Sequence, residues 1–353
     1  MMLISEANLR DFTTQLFVAA GVSPDESAAM AEALVLTNLR GVDSHGVQLL
    51  PHYIGQIERG EVNLGAKGHV VSESGACIVY DAENALGQVT AAICAEHASR
   101  LARAFGLGMV VARECNHFGA AFLWSRVMSS HGHIGVTMCD ASMLVPPWQG
   151  REPRFGTNPI CVSVPHPDGK GWLLDMATSA IAHAKLEQAK LRGEQTIPHG
   201  WSLDREGLPT TDMATALNGF LMPLGGYKGS GLGMMVEILS GVLAGGATFG
   251  THVTGLRHKG RPMRANQTFL AIDVARFVPL DDFYARMDWL IKEVKSAQPA
   301  RGYDQVLVAG EPEARAMVER TVNGIPIPDG VWATIAETAQ RLGVAAPANS
   351  LRP

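Results

Sequence analysis

A change of hydrophobic period at Lys67 constrains this chain more than any other feature. Before it, apolar residues recur at helical spacing: Leu9, Phe12, Leu16 and Phe17 follow Ser5-Glu6, and Gly21 is placed to end that helix. Ser23-Pro24 opens a second helix through A-A-M-A-E-A-L-V-L-T-N-L-R, ending at Gly41, and H-G-V-Q-L-L-P-H-Y-I-G-Q-I-E-R-G resumes the pattern. Beyond Lys67, H-V-V-S-E-S and A-C-I-V-Y-D read as strands parted by Ser-Gly. A helix from Gln88 to Phe105, the strand G-M-V-V-A-R-E, a helix through A-A-F-L-W-S-R-V and the strand H-I-G-V-T-M-C follow. Such alternation calls for a sheet covered by helices, so the chain reads as α/β with a helical N-terminal region.

From Val145 glycine and proline become frequent, with short strands I-C-V-S-V and W-L-L-D-M around the turn P-D-G-K-G. Lys185 to Leu217 reads as a polar surface connection. A glycine-rich loop then enters a helix near Gly229 that is apolar enough to be buried. Residues 267–274 return to strand, and two amphipathic helices precede a polar tail. At 353 residues the chain accommodates two or three domains.

A net charge of −5 gives no general attraction to nucleic acid or anionic membranes. Five cysteines without a C-x-x-C pair fit reduced thiols in the cytoplasm better than a disulfide scaffold. The opening M-M-L-I-S-E-A-N-L-R lacks the basic and apolar regions of a signal peptide. The most apolar stretch is interrupted by Glu237 and is short for a bilayer span. The expectation is a cytoplasmic protein with no nucleic-acid or membrane partner.

Several short segments carry possible chemistry. P-L-G-G-Y-K-G-S-G-L-G (Pro223–Gly233) lets backbone approach an anion, and Lys228 adds positive charge; tight helix packing through small residues is the alternative. The order K-G-S is not that of a P-loop, and no strand leads directly into G-S-G-L-G as in a dinucleotide fingerprint. Any nicotinamide cofactor therefore binds outside a Rossmann fold. E-C-N-H-F-G-A-A places His117 at a strand-to-helix junction, where it can bind a ligand, transfer a proton or serve structure alone. Thr157, in F-G-T-N-P-I, can donate to a carboxylate. Asp175, in W-L-L-D-M-A-T-S, reads conservatively as a helix cap. In R-G-V-D-S-H-G-V, Ser44 and His45 are adjacent, so a direct bond between them needs a non-helical turn, which Gly41 and Gly46 permit. H-G-H (131–133) has no carboxylate partners nearby, and no metal site is read.

Taken in order, G-V-D-S-H-G, N-H-F-G, G-T-N-P, L-D-M-A-T-S, G-W-S-L-D, P-L-G-G-Y-K-G-S-G-L-G and A-G-E-P-E resemble one family from about residue 5 to about 340. It is the malate/L-lactate dehydrogenase type 2 oxidoreductases, with ureidoglycolate, sulfolactate, diketogulonate and cyclic-imine reductase members. The resemblance implies a non-Rossmann NAD(P)-binding α/β fold with a mixed sheet, and a homodimer using NAD or NADP. It implies a helical region at 1–66, an α/β domain from 67–120 with 267–345, and a cofactor-binding domain at 121–266. His45 matches the proton donor or acceptor, with Ser44 beside it; in some members the residue matching His117 takes that role. His117, Phe118, Gly119 and Ala120 match a cofactor-lining segment, as do Asp175, Met176 and Ala177, then Lys228 and Gly229, then Gly310 and Glu311. Thr157 matches a substrate contact.

The implied reaction is reversible hydride transfer beside a carboxylate, on a malate- or lactate-like 2-hydroxy acid. Reduction would use an imidazolium at His45. Cyclic imine reduction and a non-catalytic nucleotide-binding role are the alternatives. Leu49 departs from the family, since many members carry there an arginine that looks like a carboxylate clamp. Gln48, His52, His183 and Lys185 are the polar groups left for the substrate. Lys185 itself replaces the aspartate of imine-reducing members, which fits hydroxy acids better.

Overall fold

The computed structural model describes residues 1–353 apart from 170, 192, 247–249, 251, 256–258, 348–349 and 352–353. A short strand β1 (Met2–Ile4) precedes α1 (Glu6–Ala19), which Ser5 caps by accepting the Asn8 N–H at 3.3 Å. Ser23 likewise caps α2 (Pro24–Leu39), with Pro24 in its first turn. Their apolar faces, with that of α3 (Leu50–Glu58), enclose a core of Leu9, Leu16, Phe17, Leu34, Leu39 and Ile54.

Next come β2 (His69–Ser74), β3 (Cys77–Asp81), α4 (Gly87–Phe105), β4 (Leu107–Cys115), α5 (Phe122–Ser130), β5 (His133–Cys139), β6 (Ile160–Ser163) and β7 (Leu173–Met176). They join β11 (Ala265–Asp273) in a seven-stranded sheet of order β2-β3-β4-β11-β5-β6-β7. Only β3 and β4 pair in parallel, so the sheet is mixed, as expected. Strands from both sides of residue 121 are neighbours in it.

Two glycines let helices lie directly on this sheet. A Cβ at Gly108 would stand 2.1 Å from the Ala98 carbonyl oxygen, and one at Gly135 would stand 2.3 Å from that of Ser125. Ala95, Ala98, Leu101, Phe122 and Phe269 fill the core between.

Between β7 and β11 lie α6 (His183–Leu191), β8 (Ser202–Leu203), β9 (Pro209–Thr210), α7 (Met213–Asn218), β10 (Phe220–Leu221) and α8 (Tyr227–Glu237). The stretch read as a polar connection has its own small core of Val145, Ile181, Leu186, Ile197, Met213 and Leu221. Those apolar residues are too widely spaced to show a local period. The helix read as buried is buried on one side only. Tyr227, Met234, Ile238 and Val242, in α8 and the π-turn after it, are 63%, 55%, 46% and 54% exposed.

Three helices, not two, close the chain: α9 (Leu280–Lys295), α10 (Glu311–Asn323) and α11 (Asp329–Leu342). Gly324, at φ +88°, ends α10, and β12 (Ile325–Ile327) pairs antiparallel with β1. That pairing spans the chain and leaves no local signal. Among the described residues, no helix is long and apolar enough to cross a membrane, and all five cysteines are free.

Candidate active site

The Ser44–His45 segment is a turn built between two helices. Gly41, at φ +78°, takes the chain out of α2, Asp43–His45 form one 3-10 turn, and Val47–Leu49, with Gln48, form a second before α3. In this tighter geometry the adjacent side chains meet, and Ser44 Oγ lies 2.9 Å from His45 Nδ1. Asn38 reaches across from α2, its Oδ1 accepting the Val47 N–H at 2.7 Å.

His117 faces this turn from the loop after β4. The two imidazole rings stack with centroids 5.8 Å apart and planes 16° from parallel. Asn116 anchors that loop by donating to the carbonyls of Asn84 and Ala85 at 2.8 and 2.9 Å, while Gln267 Nε2 donates to the Asn116 carbonyl at 2.9 Å. The Gly119 N–H donates to His117 Nδ1 at 3.2 Å, and the Tyr53 hydroxyl approaches the same nitrogen at 2.6 Å. A backbone N–H can only donate, so Nδ1 is the acceptor for both and the ring proton sits on Nε2.

Both histidines are half-buried. Burial there pushes His45 down to about 4. His117 falls to about 3, through burial first and then the charges of His45 and His52. Both rings are therefore neutral at neutral pH.

The segments matched to cofactor contacts are joined to the loop of His117 and to one another by short contacts. Asp175 Oδ2 accepts the Phe122 N–H at 3.0 Å, tying the end of β7 to the start of α5, just after His117–Ala120. Its carboxyl, exposed at the end of β7 but crowded by the surrounding protein, is pushed up to about 6 chiefly by poor solvation. Thr157 meets the segment after Met176 and Ala177, its carbonyl accepting the Thr178 N–H at 2.9 Å. Gly229 packs beneath the same residues, where a Cβ would stand 2.2 Å from the Leu224 nitrogen and 2.6 Å from the Thr178 oxygen. Gly310 abuts β7, and the Leu173 N–H donates to the Ala309 carbonyl at 3.4 Å.

Other expected residues are placed differently. Phe118 and Ala120 are buried in the main core, and the Phe118 carbonyl accepts the Trp124 indole N–H at 3.0 Å. Glu311 pairs with Lys295 and accepts the Val308 N–H at 3.3 Å. Lys228 is exposed in the first turn of α8. His183 and Lys185 lie on the first turn of α6, where His183 Nδ1 is 3.9 Å from Glu187 and Lys185 is exposed. Sequence reasoning missed Tyr53, which reads as one more core position beside Ile54 and Ile57. It also missed Asp140, buried at the end of β5 and held by the Asn266 backbone and side-chain N–H groups at 2.7 and 2.6 Å.

The malate/L-lactate dehydrogenase family model matches residues 4–336. The chain belongs to that family. It is a dehydrogenase, similar over nearly its whole length to characterised relatives. Malate dehydrogenase of Pyrococcus horikoshii is 37% identical over 349 residues, 97% of this chain and 96% of that protein. Its solved structure superposes with a TM-score of 0.89 at 35% identity, over 98% of this chain and 96% of the other. L-sulfolactate dehydrogenase of Methanocaldococcus jannaschii is 34% identical over 97% of this chain and 98% of its own. The solved delta1-piperideine-2-carboxylate reductase from Pseudomonas syringae has a TM-score of 0.84 at 29% identity, over 96% of this dehydrogenase and 100% of that chain.

Proposed function

We propose that this dehydrogenase moves a hydride between NAD or NADP and a malate- or lactate-like 2-hydroxy acid, with His45 as proton carrier and His117 as a fixed donor. One observation carries the division of labour. The His45 Nδ1 partner is a hydroxyl, which both gives and accepts a hydrogen bond, so His45 is free to hold its proton on either nitrogen. The His117 Nδ1 partners include a backbone N–H, which keeps His117 as the Nε2–H tautomer. His117 Nε2 therefore donates to the substrate oxygen but is not free to take a proton from it. Neutral His45, with Nδ1–H turned to Ser44, presents a free Nε2 to the alcohol proton. For reduction His45 must first be protonated, and a carboxylate substrate beside it favours that form.

The residues present fit an anionic dinucleotide. α8 begins at a glycine cap, Gly226, with no side chain covering its first N–H groups and with Lys228 exposed in its first turn. Buried Arg40, close enough to Asp175 to feel its charge, leaves Nε without a partner. A bound nicotinamide supplies the hydride transfer, while the chain supplies alignment and one proton. Leu49 packs against the N-terminal core, so the carboxylate anchor falls to Thr157, Gln48, His52, His183 and Lys185.

The exposed stripe of Tyr227, Met234, Ile238 and Val242 supports a homodimer closed through this face. Ile238→Asp is then expected to sediment as a monomer, and a monomeric parent protein would overturn the assignment. The five free thiols support a cytoplasmic setting.

The central experiment is His45→Ala with a substrate panel under both reduced cofactors. Turnover of pyruvate or oxaloacetate is expected in the parent and lost in the variant, with cofactor affinity retained. Turnover of pyrroline-2-carboxylate alone would establish an imine reductase, and cofactor binding without turnover of any substrate would leave a nucleotide-binding relative.

A further inference from the structure

α10 lies along the end of α2 and the turn that presents His45. Glu313, Ala316 and Arg320 share one stripe of the helix. Glu313 acts by charge on Arg40, and Ala316 Cβ is 3.2 Å from where a Cβ on Gly41 would stand. Arg320 closes the series with a fork on Asp43: Nη1 donates to Oδ1 at 2.6 Å and Nη2 to Oδ2 at 3.0 Å. Nη1 also donates to the Asn38 carbonyl at 2.6 Å, while Asn38 Nδ2 donates to Asp43 Oδ1 at 2.7 Å. The pair is largely shielded, with Arg320 17% and Asp43 31% exposed.

Asp43 immediately precedes Ser44 and His45. Two backbone bonds close the turn, from the His45 N–H to the Val42 carbonyl at 3.0 Å and from the Gly46 N–H to the Asp43 carbonyl at 3.2 Å. Side chains fix it from outside as well, at Val47 by Asn38 and at Asp43 by Asn38 and Arg320 together. We propose that Arg320 is a positioning residue for the acid–base reaction, holding Asp43 so that Ser44 and His45 keep their register against His117. It touches neither substrate nor reacting atoms. The inference rests on His45 as proton carrier, and extends the working site to the far end of α10, which starts at the Gly310 cap and Glu311.

The test measures kcat, KM, cofactor affinity and melting temperature in Arg320→Ala, Arg320→Lys and Asp43→Asn, beside His45→Ala. Arg320→Ala is expected to lower kcat about tenfold or more with KM and cofactor affinity changed less than about twofold. Millimolar guanidinium should restore part of that kcat where sodium chloride at the same ionic strength does not. Arg320→Lys, which keeps the charge without the fork, should restore less than half of the loss. Asp43→Asn keeps the shape of the turn and provides the same test should Arg320→Ala fold poorly; its kcat should fall in the same way. A kcat within twofold of the parent in a folded Arg320→Ala or Asp43→Asn would overturn the proposal. So would a lowered melting temperature with a kcat that guanidinium leaves unmoved. Retained turnover in His45→Ala would instead remove the proton-carrier reading on which it rests.

Discussion

Tyr53→Phe removes a single oxygen, and its consequences follow from what that oxygen does. The hydroxyl is 2.6 Å from His117 Nδ1 on a side chain 5% exposed, and phenylalanine keeps the ring packing among Ile54 and Ile57. A buried hydrogen bond of this kind contributes about 1–1.5 kcal/mol net, and a partner left uncovered costs a comparable amount. Nδ1 would retain only the longer bond from Gly119, which still selects the Nε2–H tautomer, while the ring loses its shorter tether and is held less firmly. If His117 Nε2–H steadies the substrate oxygen, losing about 1.4 kcal/mol of that alignment in the transition state is a tenfold fall in kcat/KM. Initial rates of 2-hydroxy acid oxidation, followed by nicotinamide absorbance, give that ratio. A cofactor titration and a urea melt on the same preparation separate it from cofactor binding and global stability. The expected result is kcat/KM lower by about tenfold, cofactor affinity within about twofold, and stability lower by about 1 kcal/mol. An unchanged kcat/KM, or a loss explained wholly by weaker cofactor binding, would refute the role given to His117.

Acid should expose the cost of keeping two imidazoles neutral. His45 and His117 are pushed from 6.5 to about 4 and about 3, so the unfolded chain binds their protons first. Their contribution is complete above pH 6.5 and is lost as pH falls toward 4, with a slope approaching about 1.4 kcal/mol per pH unit for each ring. The raised carboxyl of Asp175 works in the opposite sense, so the measurement is the difference between parent and His45→Asn in urea melts at several pH values. Equal slopes would contradict the neutral resting state. At the glycine-rich loop, Gly229→Ala drives a Cβ into Leu224 and Thr178 backbone and should destabilise by about 1–3 kcal/mol or more. Gly231→Ala meets nothing within 4 Å and should be neutral or stabilising by up to about 1 kcal/mol, so identical urea midpoints would refute the packing argument.

What was legible in the sequence was local. Ser5 and Ser23 as caps, the apolar faces of α1 and α2, the strand at 133–139 and, read as 267–274, the strand at 265–273 follow from short-range periodicity and capping chemistry. The Ser44–His45 contact was legible as a condition, that a non-helical turn must intervene, and the 3-10 turn meets it. The partners of His117 were not legible. Tyr53 lies 64 residues away and occupies a helix position that hydrophobic spacing explains completely. Arg320, 277 residues from Asp43, sits in a polar helix where one more basic residue carries no signal. The small core around Leu186 and Met213 was hidden for a related reason, since its members come from short elements too brief to show a period.

β11 sits in the middle of the sheet but is made last. Its neighbours β4 and β5 are both synthesised long before it, and Gln267 finds Asn116 across 151 residues of chain. Until residues 265–273 leave the ribosome, β4 and β5 each present an open strand edge lined by apolar residues such as Val110, Val111 and Met138. The nascent protein must therefore carry two adhesive edges through most of its synthesis. Folding will be slow in proportion to that separation, and its yield will depend on what shields those edges before the keystone strand arrives.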